Sequence, residues 1–405
     1  MDNQPPVMPE GAVPPRDTVY SGLSGNEMYC INQIGYRPGN ILVGNSVFAM
    51  GLFGGMKSSV RTAAGGEIVQ VTNMIAEGRR LSLERFNQEL LQSGALAATG
   101  LTSELIFHPG NVEFLSVGSA IHTDSPSDLR FTASRDGQEL FCQADAHYVP
   151  RDFVFGNVAY SIGMARSLLG AIRKIAKGEV TQYSGIFNHT RNLALERIVS
   201  EAKTKQANSV VGIRTTILPI GISGVQEMAM IGTASYNPQI DSITPAVNGV
   251  VTSDMTAEEM WNITKMGYAP LKLVLGTSVY SLGFAGGVRA GLRNFVKGEV
   301  KVLSELIYGA REQSLNNVKQ QAAEIGADDV LGIKTYIYDL GSGLIEFLAL
   351  GTAVKRVDGL STQSVQLPPQ AIIRDKDTFV NLADRAYGAV LQRPQLTTLA
   401  TKVGS

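Results

Sequence analysis

Histidine, cysteine and carboxylate side chains are the groups in this sequence from which a metal site could be built. A heavy-metal site needs several of them clustered at workable spacing, but the sequence contains neither a Cys-x-x-Cys nor a His-x-His pattern. The four histidines are scattered along the chain, at His108, His122, His147 and His189. The sequence therefore predicts neither a dedicated metal site nor a bound cofactor.

The two cysteines, Cys30 and Cys142, occupy the same position in two copies of a repeated segment. Two thiols in a chain of 405 residues form no disulfide framework, which suits a reducing compartment, so we predict a cytoplasmic protein. Cysteine is among the most buried residue types. We interpret both as small buried hydrophobes on helices that do not face each other.

A glycine-rich segment that begins at Gly51 comes close to a phosphate-binding loop. It reads Gly51-Leu-Phe-Gly-Gly-Met56-Lys57-Ser58, with a methionine where that loop requires its second glycine. The other two copies lack the lysine-serine pair. These glycines therefore favour tight strand-to-helix turns over nucleotide binding. No serine-histidine or cysteine-histidine arrangement recurs, so we predict no catalytic residues.

An arginine followed six residues later by a glutamate is a polar pattern that all three copies share. The pairs are Arg61 with Glu67, Arg173 with Glu179, and Arg293 with Glu299. A charged pair near a helix end could complement the helix dipole and lock the loop that follows. The alternative is an ion pair between subunits that sets the register of a ring. Both roles are structural, and the sequence leaves both open.

These residues belong to a unit that occurs three times. Gly44, Gly156 and Gly276 each interrupt an apolar run, and they are separated by 112 and 120 residues. The arginines and glutamates above keep the same offsets, as do three later glycines: Gly100, Gly212 and Gly332. A fixed offset over such a distance indicates a duplicated folding unit. We predict that the recurring residues have structural or assembly roles.

The third copy shows the predicted elements best. Thr256 and Glu259 form a capping-box pattern that opens a short helix, as Ser24 with Glu27 and Asp136 with Glu139 do in the other copies. The rest of the unit is predicted as a buried strand, a short helix, a long helix and two strands, at 271–280, 288–297, 302–325, 329–338 and 344–355. Each unit is therefore an α+β fold, β-α-α-β-β with a preceding short helix. Three strands leave free sheet edges, which predicts association.

Polar and proline-rich segments divide the chain into five parts. They are a disordered Pro-rich N-terminal arm (1–16), repeat 1 (17–122), repeat 2 (129–236), repeat 3 (250–357), and a linker with an amphipathic C-terminal helix (358–405). The last helix is predicted at about 375–391. It could dock on a neighbouring subunit, on another protein or on its own chain.

Charge and hydropathy limit the partners. The formal net charge is −1, and lysines and arginines do not cluster, so we predict no nucleic-acid binding. The segment closest to a membrane span, residues 39–56, is uncharged but contains two asparagines and five glycines, so we predict no membrane span.

The third repeat resembles the YbjQ-like family, whose members are labelled as heavy-metal-binding domains. The matching segments are Gly286-Gly287-Val-Arg-Ala-Gly-Leu-Arg293, Ala310-Arg311-Glu312, Gly326-Ala-Asp-Asp-Val-Leu-Gly-Ile333 and Gly351-Thr-Ala-Val354. The first two repeats carry fainter versions. The resemblance implies β/α units whose sheets join side by side into closed rings, commonly pentamers.

Together these patterns predict a non-enzymatic structural protein that self-assembles into a homo-oligomeric ring, barrel or cage. If each repeat seeded its own five-membered layer, five chains would form three stacked rings, which agrees better with the pentamers that the resemblance implies. If the repeats took successive positions in one ring, the number of units would be divisible by three. The alternative function is a small-molecule or heavy-metal-binding module with pockets at repeat or subunit interfaces. An enzyme is suggested only by the glycine-rich turns.

Overall fold

The structure is a computed structural model, and it describes residues 18–49, 66–124, 130–161, 178–220, 225–281, 301–341 and 344–373. Within these ranges the chain forms three α+β units, as predicted, each with a long helix packed on its own antiparallel sheet. The predicted short helix at 288–297 and the predicted C-terminal helix at 375–391 lie outside the described residues.

Each unit contains a short helix, a long strand, a long helix and two more long strands in this order, and the units differ in the two-residue strands among them. Unit 1 contains α1 (Gly25–Gln33), β1 (Arg37–Ala49), β2 (Gly66–Glu67), α2 (Val69–Gln92), β3 (Ala97–His108) and β4 (Asn111–His122). Unit 2 contains β5 (Phe131–Thr132), α3 (Gly137–Asp145), β6 (Val149–Ser161), β7 (Gly178–Glu179), α4 (Thr181–Thr204), β8 (Ser209–Pro219) and β9 (Val225–Tyr236). Unit 3 contains β10 (Val251–Thr252), α5 (Ala257–Lys265), β11 (Tyr268–Ser281), α6 (Lys301–Glu324), β12 (Asp329–Gly341) and β13 (Leu344–Arg356), and a short helix follows, α7 (Pro369–Ile372).

The local signals in the sequence act as expected. Ser24 and Thr256 each form a reciprocal capping box with the glutamate three residues later. Asp136 accepts a hydrogen bond from the Glu139 backbone N–H, so it caps its helix in the same way. In the third unit the long helix and the two final strands begin or end within three residues of the predicted bounds. The first strand begins three residues earlier than predicted, at Tyr268.

Gly44, Gly156 and Gly276 lie where the first strand of each unit crosses its long helix. A Cβ atom at Gly44 would lie 2.1 Å from the carbonyl oxygen of Ser82. The equivalent distance is 2.2 Å at each of the other two glycines, to Ala194 and Ser314. The glycine is needed because strand and helix backbones approach more closely than a side chain permits. These three glycines therefore shape the core within each unit.

A second recurring glycine forms a bulge in the second long strand of each unit. Gly100, Gly212 and Gly332 have φ angles of +67°, +63° and +64°, a region that L side chains rarely adopt. The pairing register shifts around each of these glycines. In unit 1 the freed backbone is used by the next unit, because the Gly100 N–H donates to the Arg135 carbonyl at 2.6 Å.

Very short strands interlock consecutive units, and sequence analysis did not predict them. β2 of unit 1 pairs antiparallel with β6 of unit 2, and β7 of unit 2 pairs in the same way with β11 of unit 3. In the other direction β5 pairs parallel with β3, and β10 pairs parallel with β8. Units 2 and 3 thus each add one strand to the preceding unit and receive one from it. The predicted linker after Tyr236 is also structured, since Ile240 and Val247 are buried in 3₁₀ turns.

The short helices and the segment that follows unit 3 form a common layer. α3 packs against both α1 and α5, and α7 contacts α1 and α3. The Gln138 side-chain amide donates to the Ile373 carbonyl at 2.8 Å, and Asn26 donates to the same carbonyl at 3.1 Å. The described part of the tail therefore docks on its own chain. Cys30 and Cys142 are buried on α1 and α3, as predicted, although they belong to one hydrophobic cluster.

Among the described residues, no helix combines the length and the apolar character that crossing a bilayer requires.

Glu201, near the end of α4, gives folding a pH dependence. Its Oε2 accepts the Phe155 backbone N–H at 2.7 Å, and burial raises the pKa of its carboxyl group to about 7. When folding raises the pKa of a carboxyl group, the group contributes its full stability at pH values below the unfolded pKa of about 4.3. This contribution is lost as the pH rises through the folded pKa of about 7. The third unit has Gln321 at this position, with its amide donating to the Leu275 carbonyl.

We therefore expect Glu201→Gln to stabilise the chain at pH 8 by about 1–3 kcal/mol and to have little effect at pH 4.5. Urea unfolding of both proteins at several pH values measures this. The stability difference should grow between pH 4.5 and 7 and then level off. Equal pH profiles for the two proteins would contradict the assignment.

Candidate assembly site: the junctions between units

A buried ion pair joins unit 2 to unit 3. Arg191 lies in the middle of α4 and Glu346 lies near the start of β13, and both side chains are fully shielded from solvent. The Arg191 Nε donates to Glu346 Oε1 at 2.8 Å, and its Nη2 donates to the same oxygen. Because charges are costly to bury without a partner, each of these groups needs the other. The pair therefore fixes how the two units face each other.

Aromatic rings surround this arginine. The guanidinium carbon of Arg191 lies 5.5 Å from the centre of the Tyr160 ring, 5.7 Å from that of Phe187 and 5.9 Å from that of Tyr338. At these distances the ring faces attract a cation, and the effect is larger when the group is desolvated. Burial also raises the pKa of Tyr338 to about 12, so this phenol stays neutral. Units 2 and 3 both contribute rings, so the cage exists only when they are joined.

The junction between units 1 and 2 has the same design. Arg79 on α2 and Glu227 on β9 are buried, and Arg79 Nη2 donates to Glu227 Oε2 at 2.9 Å. The Nη1 atom of Arg79 donates to the carbonyl and to the hydroxyl of Ser103, at 2.7 and 3.1 Å. In this junction polar groups, rather than a ring cage, satisfy the remaining guanidinium donors. Arg79 and Arg191 are separated by the repeat offset of 112 residues, and their glutamates by 119.

Backbone contacts extend both junctions along the first strand of the later unit. The Ile68 N–H donates to the Ala159 carbonyl, and the Val180 N–H donates to the Val279 carbonyl, both at 2.7 Å. A helix hydroxyl of the earlier unit then accepts a backbone N–H of that strand: Thr72 from Ala159 and Ser184 from Val279, both at 2.9 Å. These backbone contacts are therefore equivalent in the two junctions.

Only two residues of the predicted arginine-glutamate pattern, Glu67 and Glu179, lie within the described part of the chain. Glu67 pairs with Arg197 of unit 2, whose Nη2 donates to Glu67 Oε2 at 3.0 Å, so this glutamate does bridge two units. Glu179 lies on β7 opposite Tyr280 of unit 3. The remaining members lie outside the described residues: Arg61, Arg173, Arg293 and Glu299. The pairing of each arginine with the glutamate six residues later stays a prediction.

Sequence reasoning missed the buried pairs although a signal was present. An arginine recurs at 79, 191 and 311, and a glutamate recurs at 113, 227 and 346. The glutamate spacings, 114 and 119, differ from 112 and 120 because the loops that precede these glutamates differ in length. Nothing in the sequence states that the arginine of one unit meets the glutamate of the next.

The donor groups of the described residues do not fit a metal site. No three of their histidine, cysteine, aspartate and glutamate side chains come together as ligands would. His108 does approach a carboxylate, with its Nε2 2.7 Å from Glu113 Oε2, and this single contact is a hydrogen bond. Cys30 and Cys142 are buried on helices, among hydrophobic residues.

Clefts line the two junctions at equivalent places. The larger, about 520 Å³, lies between units 2 and 3, and about 220 Å³ is open between units 1 and 2. Two ion pairs occupy the wall of the larger cleft, Arg135 with Glu139 at 2.7 Å and Lys334 with Asp254 at 2.9 Å. Four of the six charged residues that line this cleft are thus paired with each other, and Asp136 and Arg214 are the other two.

The geometry defines a class of protein: a tandem array of three α+β units joined side by side through one repeated, ion-paired junction. A family model described as "Putative heavy-metal-binding" matches residues 147–237 and 255–357, which correspond to units 2 and 3. The chain belongs to this family, the YbjQ-like or UPF0145 proteins.

Several relatives support this assignment. A UPF0145 protein of Saccharolobus islandicus is 34% identical over 111 residues, which cover 27% of this chain and 93% of the relative. A UPF0145 protein of Enterococcus faecalis is 30% identical over 100 residues, 25% of this chain and 92% of the relative. An encapsulin nanocompartment protein of Mycobacterium tuberculosis is 26% identical over 239 residues, 57% of this chain and 88% of the relative. None of these three names describes an enzyme.

Proposed function

We propose that this chain is a non-enzymatic structural protein that assembles with copies of itself into a closed ring, barrel or cage. The observation that carries the proposal is the repeated junction, in which a fully buried arginine of one unit meets a buried glutamate of the next. An interface that occurs twice within a chain is suited to occur again between chains. The similarity to a protein named for a nanocompartment supports the same function.

The arrangement of the units favours one of the two predicted symmetries. Units 1, 2 and 3 are joined in sequence by equivalent side-by-side junctions. They therefore suit successive positions in one ring, whose number of units is a multiple of three. Two chains would supply six positions. Five chains in three stacked layers would require the repeats of one chain to lie in separate rings, which this side-by-side arrangement does not support.

Native mass spectrometry of the untagged protein tests the proposal. We expect one discrete mass that is a whole multiple of the 43.3 kDa chain, without metal or metabolite adducts. A series of open-ended masses would indicate filaments instead of a closed assembly. A single-chain mass at micromolar concentration would refute self-assembly.

The alternative, a binding module with sites at the junctions, rests on the cleft between units 2 and 3. It would be favoured by a metal or metabolite mass in protein purified without additives, or by loss of the assembly on chelation. We favour the structural function because most of the charged groups that line this cleft already pair with each other.

A further inference from the structure

The two ends of the chain carry the two unmatched halves of the internal junction. Arg311 on α6 occupies in unit 3 the position of Arg79 and Arg191, with the repeat offset of 120 residues from Arg191. Glu113 on β4 occupies in unit 1 the position of Glu227 and Glu346. In the internal junctions the arginine always comes from the earlier unit and the glutamate from the later one. Arg311 can therefore donate, and Glu113 can accept, the hydrogen bonds of one further junction of this kind.

Their surroundings differ from those of the internal pairs. Arg311 is exposed, and it forms no ion pair with any residue in the described ranges. Glu113 keeps 18% of its side chain exposed, whereas Glu227 and Glu346 keep none. It accepts hydrogen bonds from His108 and Asn45, which lower the pKa of its carboxyl group, so it carries a charge at neutral pH. One end thus presents a cation, and the other presents an anion.

The second long strand of each unit shows the same contrast. Ile333 on β12 is 47% exposed, although its counterparts Ile213 and Leu101 are 3% and 1% exposed. The counterparts lie beside β10 and β5, the short strands that the following units supply. β12 has no such neighbour among the described residues. The edge of β12 is apolar, and it has the same form as the edges of β3 and β8, which β5 and β10 cover.

The opposite end offers the matching surface. Val47 on β1 is 56% exposed, whereas its counterpart Val279 on β11 is fully buried beneath the preceding unit. Val19 and Tyr20 stand at the sequence positions of β5 and β10 relative to the next helix, and both are exposed. A preceding unit would bury Val47, and its second long strand would pair with residues 19–20. Unit 1 thus presents the surface that units 2 and 3 use internally.

We propose that copies of this chain join head to tail, unit 3 of one copy to unit 1 of the next, with Arg311 paired to Glu113 of the next copy. The proposal rests on the proposed self-assembly and specifies its interface. The occupant of each end is a second copy of this chain, because the two ends are complementary in charge and continue a junction already formed twice. The edge of β12 would pair with residues 19–20 of the next copy in a parallel register, as β3 pairs with β5.

Charge reversal tests the pair. We expect Arg311→Glu and Glu113→Arg each to weaken association at least about 30-fold, equal to about 2 kcal/mol, since an interfacial charge would lose its partner and face a like charge. The double variant should restore most of the affinity. Association is measured by sedimentation and native mass spectrometry over a concentration series. Both residues are at least partly exposed in the chain, so circular dichroism should show native folding in every variant.

Glu324→Arg is the matched control, a charge reversal on the same helix as Arg311. Its counterpart Thr204 remains exposed in the junction between units 2 and 3, so the change should leave assembly intact. If the wild type assembles and both single variants assemble equally well, the head-to-tail interface is wrong while self-assembly stands. If the single variants dissociate and the double variant does not recover, the direct pairing is wrong. A wild-type protein that stays a single chain would overturn both proposals.

Discussion

Replacing Glu346 with alanine is expected to destabilise the chain by about 3–5 kcal/mol, the cost of leaving a buried arginine without its counter-ion. Arg191 would keep its aromatic cage and the weak contact of its Nη1 with the Met228 sulfur at 3.5 Å, and neither replaces a carboxylate. This loss of stability should arise at the junction between units 2 and 3. Urea unfolding followed by tyrosine fluorescence measures the change.

Two further variants separate the ion pair from a general effect of substitution. Arg191→Met combined with Glu346→Leu removes both charges and keeps the volume, so most of the lost stability should return. Glu84→Ala removes an exposed partner of Arg80 on α2 and should have no measurable effect. If Glu346→Ala were as stable as the wild type, the buried pair would not hold the junction, and the argument for its repetition between copies would also fail.

The internal fold of each unit could be predicted from the sequence because its signals are local. The capping box at Thr256, the apolar spacing of α6 and the turn at Pro109-Gly110 all depend on residues close together in the chain. Three copies made these signals easier to read, because a pattern found at one position could be checked at two others. Fold class and element order were therefore accessible before any coordinates.

The junctions could not be predicted because their partners are far apart in sequence. Arg191 and Glu346 are 155 residues apart, and each alone reads as an ordinary surface charge on a helix or strand. The two-residue strands β2, β5, β7 and β10 are too short to have a periodic pattern, so only the paired edge reveals them. Glu67 illustrates both difficulties, since it was noticed in sequence but its partner is Arg197 of the next unit.

The junction explains why equivalent positions of the three units differ in exposure. Val47, Ala159 and Val279 occupy equivalent positions, and only Val47 is exposed, because the preceding unit covers the other two. An exposed valine at an edge position would be a liability in a protein that remained a single chain. Its retention in unit 1 is physically consistent with a surface that becomes covered, as the head-to-tail proposal requires.

Replacing Gly156 with alanine should have the second large effect on stability, with an expected loss of about 3 kcal/mol, at the upper end of the range for overpacked cores. The added Cβ would lie 2.2 Å from the Ala194 carbonyl oxygen and 2.7 Å from the Ile198 nitrogen. Both atoms belong to the backbone of α4, so no side chain can move aside. The strand and the helix would have to separate along much of their contact. The same helix also places Arg191 in the junction.

Gly185→Ala, in the same helix, is the matched control for this change. A Cβ at Gly185 meets no atom within 4 Å, and alanine is the better helix former, so this variant should gain about 0.5–1 kcal/mol. Thermal and urea unfolding of the two variants should therefore shift in opposite directions. Equal behaviour would show that α4 can move away from β6 at little cost. In that case the close strand-helix approach would not position Arg191, and the repeated glycines would need another explanation.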